Sequence, residues 1–124
     1  MRIETAQDAA EVFKPIFAEA TNELLAVAYV DGERQLIECR RFEAGNHGDD
    51  DLPLREIVAD ALRFGADAVV IGRSRPGGDS TPSQADLHAS RVLAETLLNV
   101  GIRLLDHLIL AGGEVSSLRE LGLL

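Results

Sequence analysis

In three stretches of the chain, apolar residues recur every three to four positions, which is the spacing of an amphipathic helix, and these stretches are predicted to be helices. The first covers residues 5–19, and Pro15 is expected to kink this helix or to split it into two pieces. The second starts at Leu54 and ends at Gly65, a residue type that commonly closes helices. The third is capped by Ser83 and stopped by Gly101, and its inner face is predicted to consist of Ala89, Leu93, Leu97 and Val100.

Continuous apolar runs between turn residues predict the strands. Residues 24–30 form a dense apolar run that ends at Asp31-Gly32, and residues 35–42 follow as the second strand of a hairpin. The order of helix, hairpin, helix, strand, helix and strand indicates an α/β (α+β) domain whose helices pack against a mixed sheet. Beyond the hairpin, the pattern predicts a polar loop at 45–51, a buried strand at 68–72, an irregular Gly/Pro-rich stretch at 73–82 and a strand at 103–110.

The composition narrows the class of protein. A chain of 124 residues suits one compact domain, which is predicted to span residues 1–124. The formal net charge of −9 favours solubility and opposes broad contact with the phosphates of nucleic acids. The one cysteine, Cys39, excludes an internal disulfide. Because the sequence has neither a membrane-spanning apolar stretch nor a basic-then-apolar leader, a cytoplasmic protein is expected.

Candidate chemistry concentrates where a predicted strand gives way to a loop and then to a helix, over residues 68–86. Arg73 and Arg75 are two positions apart and point the same way if the strand continues that far. Ser83 and Asp86 have the spacing of a capping box, in which the hydroxyl and the carboxylate bond to backbone amides at the start of a helix. The local pattern therefore leaves open both a helix cap and a site at the strand end.

Residues 70–86 resemble the JAMM signature of RadC-type JAB/MPN domains. In that family, His-x-His-Pro is followed by a Gly/Asp/Thr/Pro loop and then by Ser-x-x-Asp. The resemblance continues through residues 53–56, 101–109 and 117–124, so it covers nearly the whole chain and implies a single RadC-like JAB/MPN domain without the N-terminal helix-hairpin-helix region of longer RadC proteins. The matching signature residues are Pro76, Gly78, Asp79, Thr81, Pro82, Ser83 and Asp86.

The resemblance implies a zinc metallopeptidase site whose metal ligands have changed. In the family, two histidines and an aspartate bind zinc, a glutamate activates the bound water, and a serine steadies the oxyanion. The matching positions hold Glu23 for the general base, Ser83 for the oxyanion residue, Asp86 for the carboxylate ligand, and Arg73 and Arg75 in place of both histidines. Arginine stays protonated and has no lone pair for a metal, so neither zinc nor peptidase activity is expected.

The three histidines of the chain do not replace the missing ligands on sequence grounds. His88 follows Asp86 by two helical positions, where side chains point apart, and His107 falls within a predicted strand, where a structural role is expected. His47 falls in the polar loop. We expect instead that Arg73 and Arg75 pair with Glu23 and Asp86, because two guanidinium groups supply the charge of the lost zinc. The alternative is that both arginines are simply solvated at a loop edge.

Three functions follow from these expectations. The first is an inactive metallopeptidase homologue that binds a protein or peptide, or assembles with copies of itself, with the edge of the hairpin available for pairing. The second is binding of an anion or nucleic acid, linked to DNA repair through the RadC name, by Arg73, Arg75, Gly77, Gly78 and Ser83, with Arg91 and Arg103 widening the patch. The third is a zinc isopeptidase with a rearranged site. No membrane partner is expected.

Overall fold

The computed structural model describes residues 1–43 and 52–124, and its helices and strands follow the predicted order. The loop predicted at 45–51 and His47 lie outside the described residues. The elements are α1 (Ala6–Phe17), β1 (Leu24–Val30), β2 (Leu36–Glu43), α2 (Leu54–Phe64), β3 (Ala68–Ser74), α3 (Gln84–Leu98), β4 (Arg103–Ala111) and β5 (Glu114–Ser117).

Five strands form one mixed sheet in the order β2-β1-β3-β4-β5. Only β3 and β4 run parallel, and α3 makes the crossover between them, whereas the other neighbouring strands are antiparallel. The predicted α/β class with a mixed sheet is confirmed. Among the described residues, none of the helices combines the length and apolar character needed to cross a bilayer.

The helices cover both faces of the sheet and create two apolar cores. On one face, α1 packs Phe13 and its neighbours against the alternate residues of β1, β3 and β4. On the other face, α2 and α3 bury Ile57, Leu93 and Leu97 against the remaining residues of these strands. Every residue of β1 and of β3 is buried, as expected for central strands that are covered on both sides.

Three local predictions are wrong. The first helix is not split at Pro15, since α1 ends only two residues later and the proline interrupts just its last turn. The irregular stretch does not begin at Arg73, because β3 continues through Ser74 while paired on both sides with β1 and β4. Val100 does not lie on the inner face of the third helix: α3 ends at Leu98, and Val100 is 41% exposed.

Candidate functional site

The predicted site residues meet where three elements converge. Glu23 precedes β1, whose first residue, Leu24, pairs with Ser74 at the end of β3. Arg75 follows Ser74, so the antiparallel pairing of β1 and β3 brings Glu23 beside it. The chain then turns and enters α3 at Ser83. The position of this site is therefore set by two central strands and the start of the crossover helix.

Four charged side chains form an ion cluster here, which consists of Glu23, Arg73, Arg75 and Asp86. Arg75 donates from Nη2 to Asp86 Oδ1 at 2.8 Å, and its Nε lies 3.4 Å from Glu23 Oε1. Arg73 Nε lies 3.7 Å from the same Asp86 oxygen. The side chain of Arg73 is only 6% exposed and that of Arg75 is 21% exposed. The predicted pairing is thus present, and the expectation of two solvated arginines is wrong.

Asp86 takes part both in this cluster and in the start of α3. Its Oδ2 accepts a hydrogen bond from Ser83 N at 2.8 Å, while Ser83 Oγ accepts from Asp86 N at 3.1 Å. The predicted capping box is therefore confirmed. Burial alone would raise the pKa of Asp86, but hydrogen bonds from Arg75 and from the Ser83 amide outweigh it, so the pKa of this carboxyl is lowered. The same hydrogen bond to Asp86 raises the pKa of Arg75.

A neutral histidine lies behind the cluster. His107 of β4 is fully buried, and its Nδ1 contacts Ser90 Oγ of α3. Burial, followed by the positive charge of Arg73, lowers the pKa of His107 to about 3. Within the described residues, neither His107 Nε2 nor Arg73 Nε has a hydrogen-bond partner. The sequence placed His107 in a strand but did not reveal its contact with Ser90, which lies 17 residues earlier in the chain on α3.

The side chains present here do not fit a zinc ion. In residues 1–43 and 52–124, no three His, Cys, Asp or Glu side chains converge as a metal-ligand set. Asp86 offers its oxygens to Arg75 and to Ser83 N, and the two arginines have no lone pair to donate. His88 is exposed on α3 and His107 is fully buried against Ser90. A catalytic zinc needs about three protein ligands, which these residues do not supply.

The Gly77-Gly78 turn packs against Arg75. Gly77 has a φ of +73°, which favours glycine, and Gly78 N donates to Arg75 O at 3.1 Å. A Cβ on Gly78 would lie 2.8 Å from Arg75 Cγ, so the turn packs closely on the stem of that arginine. Gly78 therefore leaves room for the conformation in which Arg75 reaches Asp86.

The predicted widening of the arginine patch by Arg103 is wrong. Arg103 pairs with Ala68 at the start of β3, whereas Ser74 at its other end pairs with Leu110. Six strand positions at about 3.3 Å each separate the two ends by roughly 20 Å. Arg103 therefore lies at the opposite end of the sheet from Arg73 and Arg75.

Comparison with known protein families assigns the chain to a family. A family model described as the RadC-like JAB domain matches residues 3–123. The match covers far more than half of the chain, so the chain belongs to the RadC-like JAB domain family.

Individual relatives support the same assignment. The UPF0758 protein YfjY of Escherichia coli K12 is 37% identical over 120 residues, which cover 97% of this chain and 75% of that protein. The UPF0758 protein YkfG of the same organism is 38% identical over 107 residues, or 86% of this chain and 68% of its own length. A UPF0758 protein of Bordetella petrii is 39% identical over 112 residues, 90% of this chain but only 50% of that protein. The chain thus spans between half and three quarters of the length of these relatives.

Proposed function

We propose that this chain is a RadC-like JAB domain that does not act as a zinc peptidase and that serves as a protein-binding or assembly module. The observation that carries the first part is the bridge that Arg75 makes between Glu23 and Asp86. In the JAMM signature, these two carboxylates are the water-activating base and a metal ligand. Here both carboxylates are partners of a guanidinium group.

The charge and the geometry of the ion cluster support this reading. Arg73 and Arg75 bring two positive charges to the positions that the resemblance assigns to the histidines, which balances the two carboxylates without a metal. Asp86 is only 3% exposed, and a buried carboxylate without a partner costs several kcal/mol. The close contact of Arg75 with Asp86 therefore stabilises this arrangement, and a dication would have to displace one or both arginines from Asp86.

The outer edge of β2 supports a role in binding. Among the described residues, β2 pairs with β1 on one side, while on the other side its first residue, Leu36, donates to Met1 O at 2.8 Å. Most of the eight residues of β2 are exposed or partly exposed. The other edge strand, β5, has four residues and offers fewer backbone groups. An extended segment of a partner protein, a peptide or a second copy can add a strand to such an edge. Anion binding by Arg73 and Arg75 has less support, because their N–H groups face carboxylates.

Metal content tests the loss of the zinc site. The wild-type chain, purified without chelator and without a metal-affinity tag, should hold no stoichiometric zinc and should not cleave isopeptide-linked substrates. The variant Arg73→His/Arg75→His should gain one zinc per chain, because Asp86 then has two imidazole neighbours. The control Arg41→His/Arg91→His adds the same number of imidazoles at exposed positions and should gain none. One zinc per wild-type chain would overturn the proposal.

Sedimentation tests the assembly part separately. Ile37 on β2 and Val115 on β5 are 39% and 38% exposed, so the substitutions Ile37→Lys and Val115→Lys are a matched pair. A charge at an edge strand opposes strand addition. If copies of the chain associate through β2, Ile37→Lys should lower the association constant and Val115→Lys should not. A wild-type chain that stays monomeric at all concentrations would exclude self-assembly and leave a different protein as the partner.

A further inference from the structure

A second arginine cluster faces a cavity on the α1 side of the sheet, at the end opposite to the ion cluster. The cavity has a volume of about 400 Å³, within the range of small-molecule sites. The start of α1 and Leu105 of β4 contribute to its walls, together with the segment that follows β5. Three arginines line it: Arg34 from the hairpin loop, Arg103 from the start of β4 and Arg119 near the end of the chain.

These three arginines form no ion pair with any residue that the structure describes. The chain has 21 acidic residues against 12 basic ones, so carboxylates are in excess over the cations. Three arginines that line one cavity without an ion-pair partner among the described residues have donors to offer, and a bound anion would supply the counter-charge at close range. The cavity is therefore suited to a ligand with negative charge.

The three acidic residues of the cavity wall make no ion pair with the three arginines within the part of the chain that the structure describes. Glu4 pairs with Arg2 at 3.2 Å. The buried carboxylate of Asp106 accepts hydrogen bonds from Ser117 Oγ, from the His107 amide at 2.7 Å and from the Arg119 amide at 3.1 Å. Among the described residues, the Glu120 carboxylate alone of these three has neither an ion pair nor a hydrogen bond.

Two of the arginines are held in place by the backbone. Arg34 has a φ of +65° and is the one non-glycine residue with positive φ in the described part of the chain. Its carbonyl accepts from Ile3 N at 2.8 Å, so the hairpin loop is tied to the residues that precede α1. Arg119 donates from Nε to the carbonyl of Leu105. The guanidinium of Arg119 therefore loses less conformational freedom when it binds an anion than a flexible surface side chain does, and the backbone of Arg34 keeps that residue at the cavity wall.

We propose that this cavity binds the phosphoryl group of a small molecule. A terminal phosphoryl group carries about two negative charges and three acceptor oxygens, which match three guanidinium forks. Ile3, Ala6, Ala9 and Val70 add an apolar wall for the carbon part of the ligand. The amides before α1 are already used, because Asp8 accepts from Glu4 N and Thr5 N, so the arginines alone hold the anion. The site is independent of the ion cluster and of the function proposed above.

Titration calorimetry with inorganic phosphate and with phenyl phosphate tests the proposal. The wild-type chain should bind both probes, and phenyl phosphate should bind more tightly because of the apolar wall. Arg103→Ala and Arg34→Gly should each weaken binding by roughly tenfold or more, the value of a lost charge-assisted hydrogen bond. Glycine adopts the positive φ found at position 34 more readily than arginine does, so Arg34→Gly should stay folded.

Two further variants separate a built site from general attraction to a charged surface. Glu120→Gln removes the wall carboxylate that has neither an ion pair nor a hydrogen bond among the described residues, and it should tighten binding severalfold. Arg91→Ala removes an exposed arginine of α3 that does not line the cavity, and it should leave the affinity unchanged. The proposal is overturned by a wild-type chain that shows no saturable binding, or by equal losses in Arg91→Ala and Arg103→Ala. Equal affinity for the two probes would overturn the role of the apolar wall.

Discussion

Arg75 donates a 2.8 Å hydrogen bond from Nη2 to Oδ1 of Asp86, and this contact joins the end of β3 to the first turn of α3. The same aspartate is bonded to the amide of Ser83, so one buried carboxylate fixes the strand end, the loop and the helix start together. Its charge should therefore contribute more to stability than any other charge in the ion cluster.

Asp86→Asn tests that contribution. The substitution keeps the size of the side chain but leaves Arg73 buried without a counter-charge, and such a loss costs about 3–5 kcal/mol of unfolding free energy. Glu23→Gln is the control, because the Glu23 side chain is 48% exposed and an exposed pair contributes less than about 1 kcal/mol. Denaturant unfolding measures both values. Equal losses in the two variants would contradict the special position of Asp86.

The two arginines should differ in their effect on stability. Arg75 makes a close hydrogen bond to Asp86, whereas Arg73 is almost fully buried, lies 3.7 Å from the carboxylate and leaves its Nε without a partner among the described residues. Arg75→Met should destabilise the fold by about 1.5–3 kcal/mol. Arg73→Met should be neutral or stabilising, since an apolar side chain of similar size avoids the burial of a charge. Denaturant unfolding of both variants checks the order, and a larger loss for Arg73→Met would refute it.

Stability should fall in acid because of His107. The folded-state pKa of about 3 lies below the ordinary value of 6.5, so the unfolded chain binds the proton first. The stability that depends on a neutral His107 is complete above about pH 6.5 and is lost progressively as the pH falls towards 3. Asp86 has a lowered pKa, so the stability that depends on its ionised form is lost at still lower pH. Unfolding free energy measured across this range should rise with pH.

Two histidine variants isolate that effect. His107→Gln should lower stability at neutral pH but flatten the slope between pH 6.5 and 4. His88→Gln removes an exposed imidazole from the same region and should leave the slope as in the wild type. A slope that is the same in all three proteins would show that the acid sensitivity arises elsewhere.

Cys39 should react slowly in the folded protein. Burial, followed by the negative charge of Glu38, raises the pKa of its thiol to about 11 from 9.0. Because the thiolate is the nucleophile, a two-unit rise lowers its fraction, and hence the alkylation rate at pH 8, by roughly a hundredfold relative to a free thiol. The rate of reaction with iodoacetamide should increase to that of a free thiol in denaturant and rise modestly in Glu38→Gln. Equal rates in native and denatured protein would contradict the burial argument.

Gly72 should not tolerate a side chain. A Cβ at this position would lie 2.5 Å from Cδ2 of Phe13, so α1 would have to move away from the sheet. Gly72→Ala should therefore cost about 1–3 kcal/mol, the usual effect of overpacking a core. In a protein that already carries Phe13→Leu, the smaller side chain leaves room for a Cβ at position 72. Gly72→Ala should therefore cost less unfolding free energy in that protein than in the wild type. If the losses of unfolding free energy in the two single variants simply add in the double variant, the Phe13 ring is not what excludes a side chain at position 72.

The order of the elements could be predicted from the apolar spacing, which is a local signal. The contacts of the ion cluster could be predicted through the resemblance to RadC-type domains, which brings the positions of Glu23, Arg73, Arg75 and Asp86 together. The end of β3 could not be predicted, since its extension depends on hydrogen bonds from both neighbouring strands. The distance between Arg103 and Arg75 could not be predicted either, because it follows from the register of the parallel strands β3 and β4. The second arginine cluster joins residues from three distant segments, and no local spacing marks it.

The capping box at the start of α3 has a consequence for how domains of this kind are sorted. Ser83 and Asp86 satisfy each other's backbone amides, so a helix that begins with this pair is useful to the fold whether or not any bond is ever cleaved nearby. A search that scores the Ser-x-x-Asp spacing selects chains by the way a helix begins. Under the function proposed above, the side chains at positions 73 and 75, and not the helix start, determine whether such a chain can bind zinc.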